Sequence, residues 1–159
     1  MAGEVSALSQ VNGLYSIGAS VEIDASPEEI FDLLASPSRH VEIDGSGSVR
    51  RLIEAPERLS LGSRFRMGMF IAVPYKISNE VIAFEEAREI AWRHWGHHVW
   101  RYRLEPLTQG QTRVTESFEW EHARGRFLYE VLKYPEKNGA SIRATLANLA
   151  RVTERTQAE

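Results

Sequence analysis

Few side chains in this 159-residue sequence stand where chemistry could be done. Glu116 is one. It lies in Thr112-Arg-Val-Thr-Glu-Ser-Phe-Glu-Trp120, where Val114, Phe118 and Trp120 alternate with Arg113, Thr115, Ser117 and Glu119. Period two with one apolar face describes a half-buried strand. Glu116 is the lone carboxylate on that apolar face. A carboxylate there is costly unless it is paired, hydrogen-bonded, protonated or wet. It would serve as a polar anchor at the floor of a ligand cavity, or as a general acid/base with a raised pKa. A third reading is a carboxylate satisfied by its neighbours or reaching solvent at an edge. Tyr102, Asn79 and Tyr75 are its candidate partners. The other group is His94, His97 and His98. His-x-x-His-His lacks the helical spacing of a two-histidine zinc motif and has no carboxylate beside it, so no metal and no cofactor is assigned. His94 shares strand parity with Trp92 and is a candidate partner for a ligand at the cavity mouth, as is His40. His97 and His98 are expected in a turn at the rim.

These groups need walls to hold them. Ile90 and Trp92, then Trp100, Tyr102 and Leu104, share one face on either side of Gly96, which predicts a hairpin. Pairing the last three strands as tight hairpins brings Trp92 near Tyr102 and Tyr102 near Glu116. A one-residue slip would send all three to the other face. Strands are also expected at 15–23, 48–55, 64–71 and 75–84. Phe65, Met67 and Met69 share one face, as do Tyr75, Ile77 and Asn79. A change of parity at 82–84 predicts a bulge.

Ser26-Pro27-Glu28-Glu29 reads as a capping box with proline at the first helical position, and Ile30, Phe31, Leu33 and Leu34 form its buried stripe. Pro37 ends that helix, and 37–41 suggests a second short turn. Gly45-Ser-Gly-Ser reads as a flexible loop. Residues 140–156 carry a stripe of Ile142, Leu146, Leu149 and Val152, a long amphipathic helix. Residues 123–134 are ambiguous: Phe127, Leu128, Val131 and Leu132 have helical spacing between Gly125 and Pro135. Residues 1–13 read as a loose lead-in.

Composition narrows the function. Hydrophobic residues at 43% and charged residues at 26% give an ordinary globular balance. The net charge of -3 comes from interleaved acids and bases, with no basic block for nucleic acid. The absence of cysteine excludes disulfides and a thiol nucleophile and suits a cytoplasmic location. No apolar run spans a membrane, and no signal-peptide pattern is expected. Neither a Gly-x-Ser-x-Gly elbow nor a phosphate-binding glycine loop is present. The arginines at 50, 51, 64, 66, 101 and 103 sit on polar strand faces and are expected to form a solvated or salt-bridged exterior.

The stretch Val21-Glu-Ile-Asp-Ala-Ser-Pro-Glu-Glu-Ile-Phe-Asp-Leu-Leu-Ala resembles the opening of the START-like (SRPBCC) superfamily, and within it the polyketide cyclase/dehydrase-like group. Ile90-Ala-Trp-Arg, the strand containing Glu116 and Leu146-Ala-Asn-Leu are similar to the same pattern across residues 14–156, which are taken as one domain. The resemblance implies an α+β helix-grip fold: a curved antiparallel sheet of about seven strands around a long C-terminal helix, with two short helices after the first strand. It also implies a cavity between sheet and helix for an apolar or amphipathic, lipid- or polyketide-like ligand. The expected lining is Phe65, Met67, Met69, Tyr75, Ile77 and Asn79 from the middle strands. Trp92, His94, Trp100, Tyr102, Glu116, Phe118 and Trp120 follow from the last three, and Ile142, Leu146 and Leu149 from the helix. Ligand binding is the leading expectation. An aromatase/cyclase-type enzyme, with Glu116 the best catalytic candidate, is one alternative. A homodimeric interaction module using the 127–132 stripe is the other.

Overall fold

The computed structural model describes residues 9–159. Its strands are β1 (Ser9–Gln10), β2 (Ser16–Ile23), β3 (Val49–Glu54), β4 (Arg64–Ile71), β5 (Val73–Glu85), β6 (Glu89–His94), β7 (Val99–Pro106) and β8 (Thr112–Glu119). Its helices are α1 (Pro27–Leu34), α2 (His40–Ile43), α3 (Arg126–Val131) and α4 (Tyr134–Ala158). The strands form one antiparallel sheet in the order β1-β2-β8-β7-β6-β5-β4-β3. After β2 the chain crosses through α1, a 3₁₀ turn at Pro37–Arg39 and α2 to the far edge. It then returns strand by strand until β8 lies beside β2. This is the helix-grip arrangement: α4 packs across β2 and β8, and α2 leans on α4.

Local chemistry explains the elements. Ser26 and Glu29 cap α1 reciprocally: the Glu29 amide donates to Ser26 Oγ at 3.3 Å, and the Ser26 amide donates to Glu29 Oε2 at 3.0 Å. Ile30, Phe31, Leu33 and Leu34 are buried as their spacing predicts. Along β8, Thr112, Val114, Glu116 and Phe118 are buried and the residues between them are half-exposed. The bulge falls where parity changes, between Val81 and Ala83 opposite β6. The opposite face of the sheet carries ion pairs. Arg101 lies between Glu89 and Glu119, and Arg113 between Glu22 and Glu105.

Four details differ from expectation. An eighth strand exists because Ser9–Gln10, within the expected lead-in, pairs with β2; residues 1–8 of that lead-in lie outside the described residues. The last helix begins at Tyr134 rather than near 140. Pro135 lies in its first turn, where the missing N–H costs nothing, so this proline starts the helix instead of breaking it. The ambiguous segment resolves into the short α3, which leaves Phe127, Leu128, Val131 and Leu132 exposed. Finally, the loop after α2 is pinned. Asp44 accepts hydrogen bonds from the Ser46 amide and hydroxyl and from the Val49 amide, and the Gly45 amide donates to Thr145 Oγ1 at 2.9 Å.

Candidate functional site

Between the sheet and the N-terminal half of α4 lies a cavity of about 390 Å³. One wall is the buried face of five adjacent strands. β4 contributes Phe65, Met67 and Met69, and β5 contributes Tyr75, Ile77 and Asn79. β6 adds Trp92 and His94, β7 adds Trp100 and Tyr102, and β8 adds Glu116 and Phe118. The other wall is His40 and Ile43 of α2, Asp44, Tyr129 of α3, and Tyr134, Asn138, Ser141 and Thr145 of α4. Among the described residues no lysine or arginine lines this space.

Register builds the polar centre. Tyr102 pairs directly with Glu116, and Ala19 of β2 flanks Glu116 on the other side. The Tyr102 hydroxyl donates to Glu116 Oε1 at 2.8 Å. Glu116 Oε2 is buried and has no hydrogen-bond partner among the described residues. Glu116 is only 2% exposed. Burial pushes its pKa up to about 8, opposed by the Tyr102 hydrogen bond and assisted by the negative charge of Asp44. The Tyr102 hydroxyl is raised well above its ordinary range by burial and by Glu116. This carboxyl is therefore held as a neutral acid around pH 7, able to donate from Oε2.

A second cluster stands nearer the mouth. His94 and His98 stack with ring centres 4.5 Å apart, and His98 lies 5.1 Å from the Phe118 ring. His98 Nδ1 and the Tyr129 hydroxyl are 2.9 Å apart. The Gly96 amide donates to His94 Nδ1, so a neutral His94 carries its proton on Nε2. Burial, with His94 beside it, lowers the pKa of His98 to about 3, and burial lowers that of His94. His40 donates from Nε2 to the Leu34 carbonyl at 2.8 Å and stacks on Trp92 at 5.1 Å. Its burial outweighs that hydrogen bond and lowers its pKa as well. Three imidazoles thus face the cavity uncharged at neutral pH.

Of the residues expected on the lining, the structure brings together those of β4 to β7 with Glu116 and Phe118. Trp120, Ile142, Leu146 and Leu149 are corrections: they lie in the packed core and not on the cavity wall. The apolar stripe of α4 fills against β2 and β8, and the helix turns its polar flank of Asn138, Ser141 and Thr145 to the cavity. Trp120 lies beyond the end of β8, against Tyr15 and Phe118. His98 is the reverse correction, lining the cavity rather than standing at the rim. Parity offered the signal, since Trp92, His94, His98 and Trp100 are all even-numbered and the turn preserves the face. Asn138, Ser141 and Thr145 were visible as a polar row beside the apolar stripe. Asp44 and Tyr129 carried no local signal, because crossover and helix packing bring them in.

The family described as polyketide cyclase/dehydrase and lipid transport matches residues 16–154. An uncharacterised protein of Mycobacterium tuberculosis is 39% identical over 140 residues, 84% of this chain. The match covers 62% of that relative, so the chain spans less than two thirds of its length. A crystal structure of a Rhodobacter sphaeroides protein superposes with a TM-score of 0.73 at 12% identity, covering 94% of this chain and 99% of that one. A Nitrosomonas europaea protein gives 0.69 at 14% identity, covering 94% and 100%. At such identities the likeness is one of fold.

Proposed function

The chain belongs to the polyketide cyclase/dehydrase and lipid transport family, and we propose that it binds one apolar or amphipathic small molecule in the cavity between its sheet and α4. The observation that carries this reading is the cavity itself: about 390 Å³, with Phe65, Met67, Trp92, Trp100 and Phe118 on the sheet wall and the polar Asn138, Ser141 and Thr145 facing them from α4. That volume lies in the range that holds a drug-sized ligand. Affinity comes from burial of apolar surface, and orientation from Glu116, Tyr102 and the His94–His98 pair.

The test is native mass spectrometry of protein purified from its source organism, together with titration of an uncharged naphthyl ketone followed by tryptophan fluorescence. Trp92 and Trp100 line the cavity, so an occupant changes their emission. Ile77→Trp, which fills the cavity from β5, should abolish both the co-purifying mass and the fluorescence change. A wild-type protein that carries no adduct and responds to the ketone no differently from Ile77→Trp would refute ligand binding.

A second reading, a cyclase- or dehydratase-type enzyme, is favoured by one observation: the unpartnered Glu116 Oε2 beside Tyr102 suits a general acid. Turnover of a bound ligand that Glu116→Gln abolishes while binding persists would establish it. The dimeric alternative draws on the exposed Phe127, Leu128, Val131 and Leu132. Light scattering on wild-type protein and on Phe127→Ser decides that point.

A further inference from the structure

We propose that the ligand of this cavity is uncharged and presents an oxygen acceptor, a carbonyl or ether oxygen, to the Oε2 hydroxyl of a protonated Glu116. This rests on the ligand-binding reading above and names the chemical class that the site accepts.

The geometry leaves one polar valence open. Glu116 Oε1 is taken by the Tyr102 hydroxyl, while Oε2 is buried and unpartnered. On the β2 side the paired residue is Ala19, whose side chain offers nothing polar. An ionised carboxylate would seek several donors here and finds one, whereas a protonated carboxyl needs a single acceptor for its O–H. The described residues supply no such acceptor, and a ligand oxygen would. Burial favours the same protonation state.

The charges around the cavity exclude the other ligand classes. No lysine or arginine among the described residues lines it. The groups facing Glu116 are Tyr102 on β7, His40 and Asp44 on and after α2, Tyr75 on β5, His94 on β6, His98 before β7, Tyr129 on α3 and Tyr134 on α4. None supplies a cation at neutral pH, because burial holds all three imidazoles below their ordinary range. A carboxylate or phosphate on the ligand would sit unpaired beside two acids, Asp44 and Glu116. An ammonium would need Glu116 ionised in an apolar wall.

Four naphthyl probes of similar size separate the classes by calorimetry at pH 7: 2-isopropylnaphthalene, 2-acetylnaphthalene, 2-naphthoate and 2-naphthylmethylammonium. The ketone should bind about fivefold to tenfold tighter than 2-isopropylnaphthalene, the return of one added hydrogen bond. Naphthoate should bind on the order of tenfold or more weakly than the ketone. Ketone affinity should hold between pH 6.5 and 7.5 and fall towards that of the hydrocarbon as Glu116 ionises above about 8. Glu116→Gln, whose amide still donates, should keep the affinity and lose the pH dependence; Glu116→Leu should bring ketone and hydrocarbon level. Circular dichroism of each variant confirms folding. Tightest binding by the ammonium, rising with pH and lost in Glu116→Gln, would overturn the proposal in favour of an ionised Glu116, and tightest binding by naphthoate would overturn it outright. Both results would leave the cavity reading intact. Binding of no probe, or binding indifferent to Ile77→Trp, would sink the cavity reading and this inference with it.

Discussion

Tyr102 and Glu116 face one another across β7 and β8, and a hydrogen bond of 2.8 Å from the tyrosine hydroxyl reaches only one of the two carboxyl oxygens. The pair is buried, yet Glu116 Oε2 has no hydrogen-bond partner among the described residues. Proteins rarely leave a buried polar atom without a partner, and such exceptions point to function or to a group that arrives later.

Tyr102→Phe removes the donor and leaves Oε1 unpartnered as well. Because that hydrogen bond lowers the Glu116 pKa, the pKa should climb above about 8 in the variant. Stability at pH 6 should fall by about 1–3 kcal/mol. Urea denaturation and carboxyl-resolved NMR titration measure the two effects. An unchanged Glu116 pKa would contradict the assigned role of the hydroxyl.

Glu116 also gives stability a pH dependence of unusual sign for an acid. Its folded pKa of about 8 exceeds the ordinary 4.5, so the folded state holds a proton that the unfolded state has released between those values. Its contribution is full below 4.5 and is lost as pH rises to about 8. The three cavity histidines still titrate in the unfolded state around their ordinary 6.5 and act with the opposite sign, so the Glu116 effect is read as the difference between wild type and Glu116→Gln. The stability of wild type relative to Glu116→Gln should decline by about 1.4 kcal/mol per unit near pH 6.5, the slope halving near 8. Urea unfolding of both proteins at each pH measures the difference, and a difference that stays constant from pH 6.5 to 8 would count against a buried neutral carboxyl at this position.

The histidines act at the acid end. His98 has a folded pKa of about 3 against an ordinary 6.5, so its contribution is present above 6.5 and lost as pH falls towards 3. His40 and His94 shift in the same direction. His98→Asn should therefore show a shallower loss of stability than wild type between pH 6 and 4, followed by circular dichroism. Identical acid limbs would argue against a buried neutral imidazole at this position.

Gly45 tests how the mouth is held. A Cβ there would run into the backbone of α4 at Ser141, Ala144 and Thr145. Backbone cannot yield as a side-chain tip does, so Gly45→Ala should cost about 3 kcal/mol. It should also raise hydrogen exchange at Gly45, Ser46 and Val49, whose amides donate to Thr145 and Asp44. A melting temperature equal to that of wild type would mean that the loop is not seated as described.

Much of the fold was legible because it is written in short-range patterns. Strand parity placed Glu116 and Tyr102 on one face, and the proline-containing capping box marked α1. The change of parity marked the β5 bulge. Pro135 misled because one residue type signals both the start and the end of a helix, and only the surrounding chain decides which.

What the sequence by itself determined was the inner face of each strand and the chemical kind of groups it carries. Period two is a property of the strand, and each strand holds it whatever packs on top. Which of those inner groups border a cavity was decided only by the tertiary structure. The same buried stripe that identified α4 carries Ile142, Leu146 and Leu149 into the core, and so turns Asn138, Ser141 and Thr145 to the ligand space. The protonation of Glu116 was settled there too. A carboxyl takes its pKa from the water it loses and the charges it meets. Tyr102 and Asp44 reach it from 14 and 72 positions away in the chain.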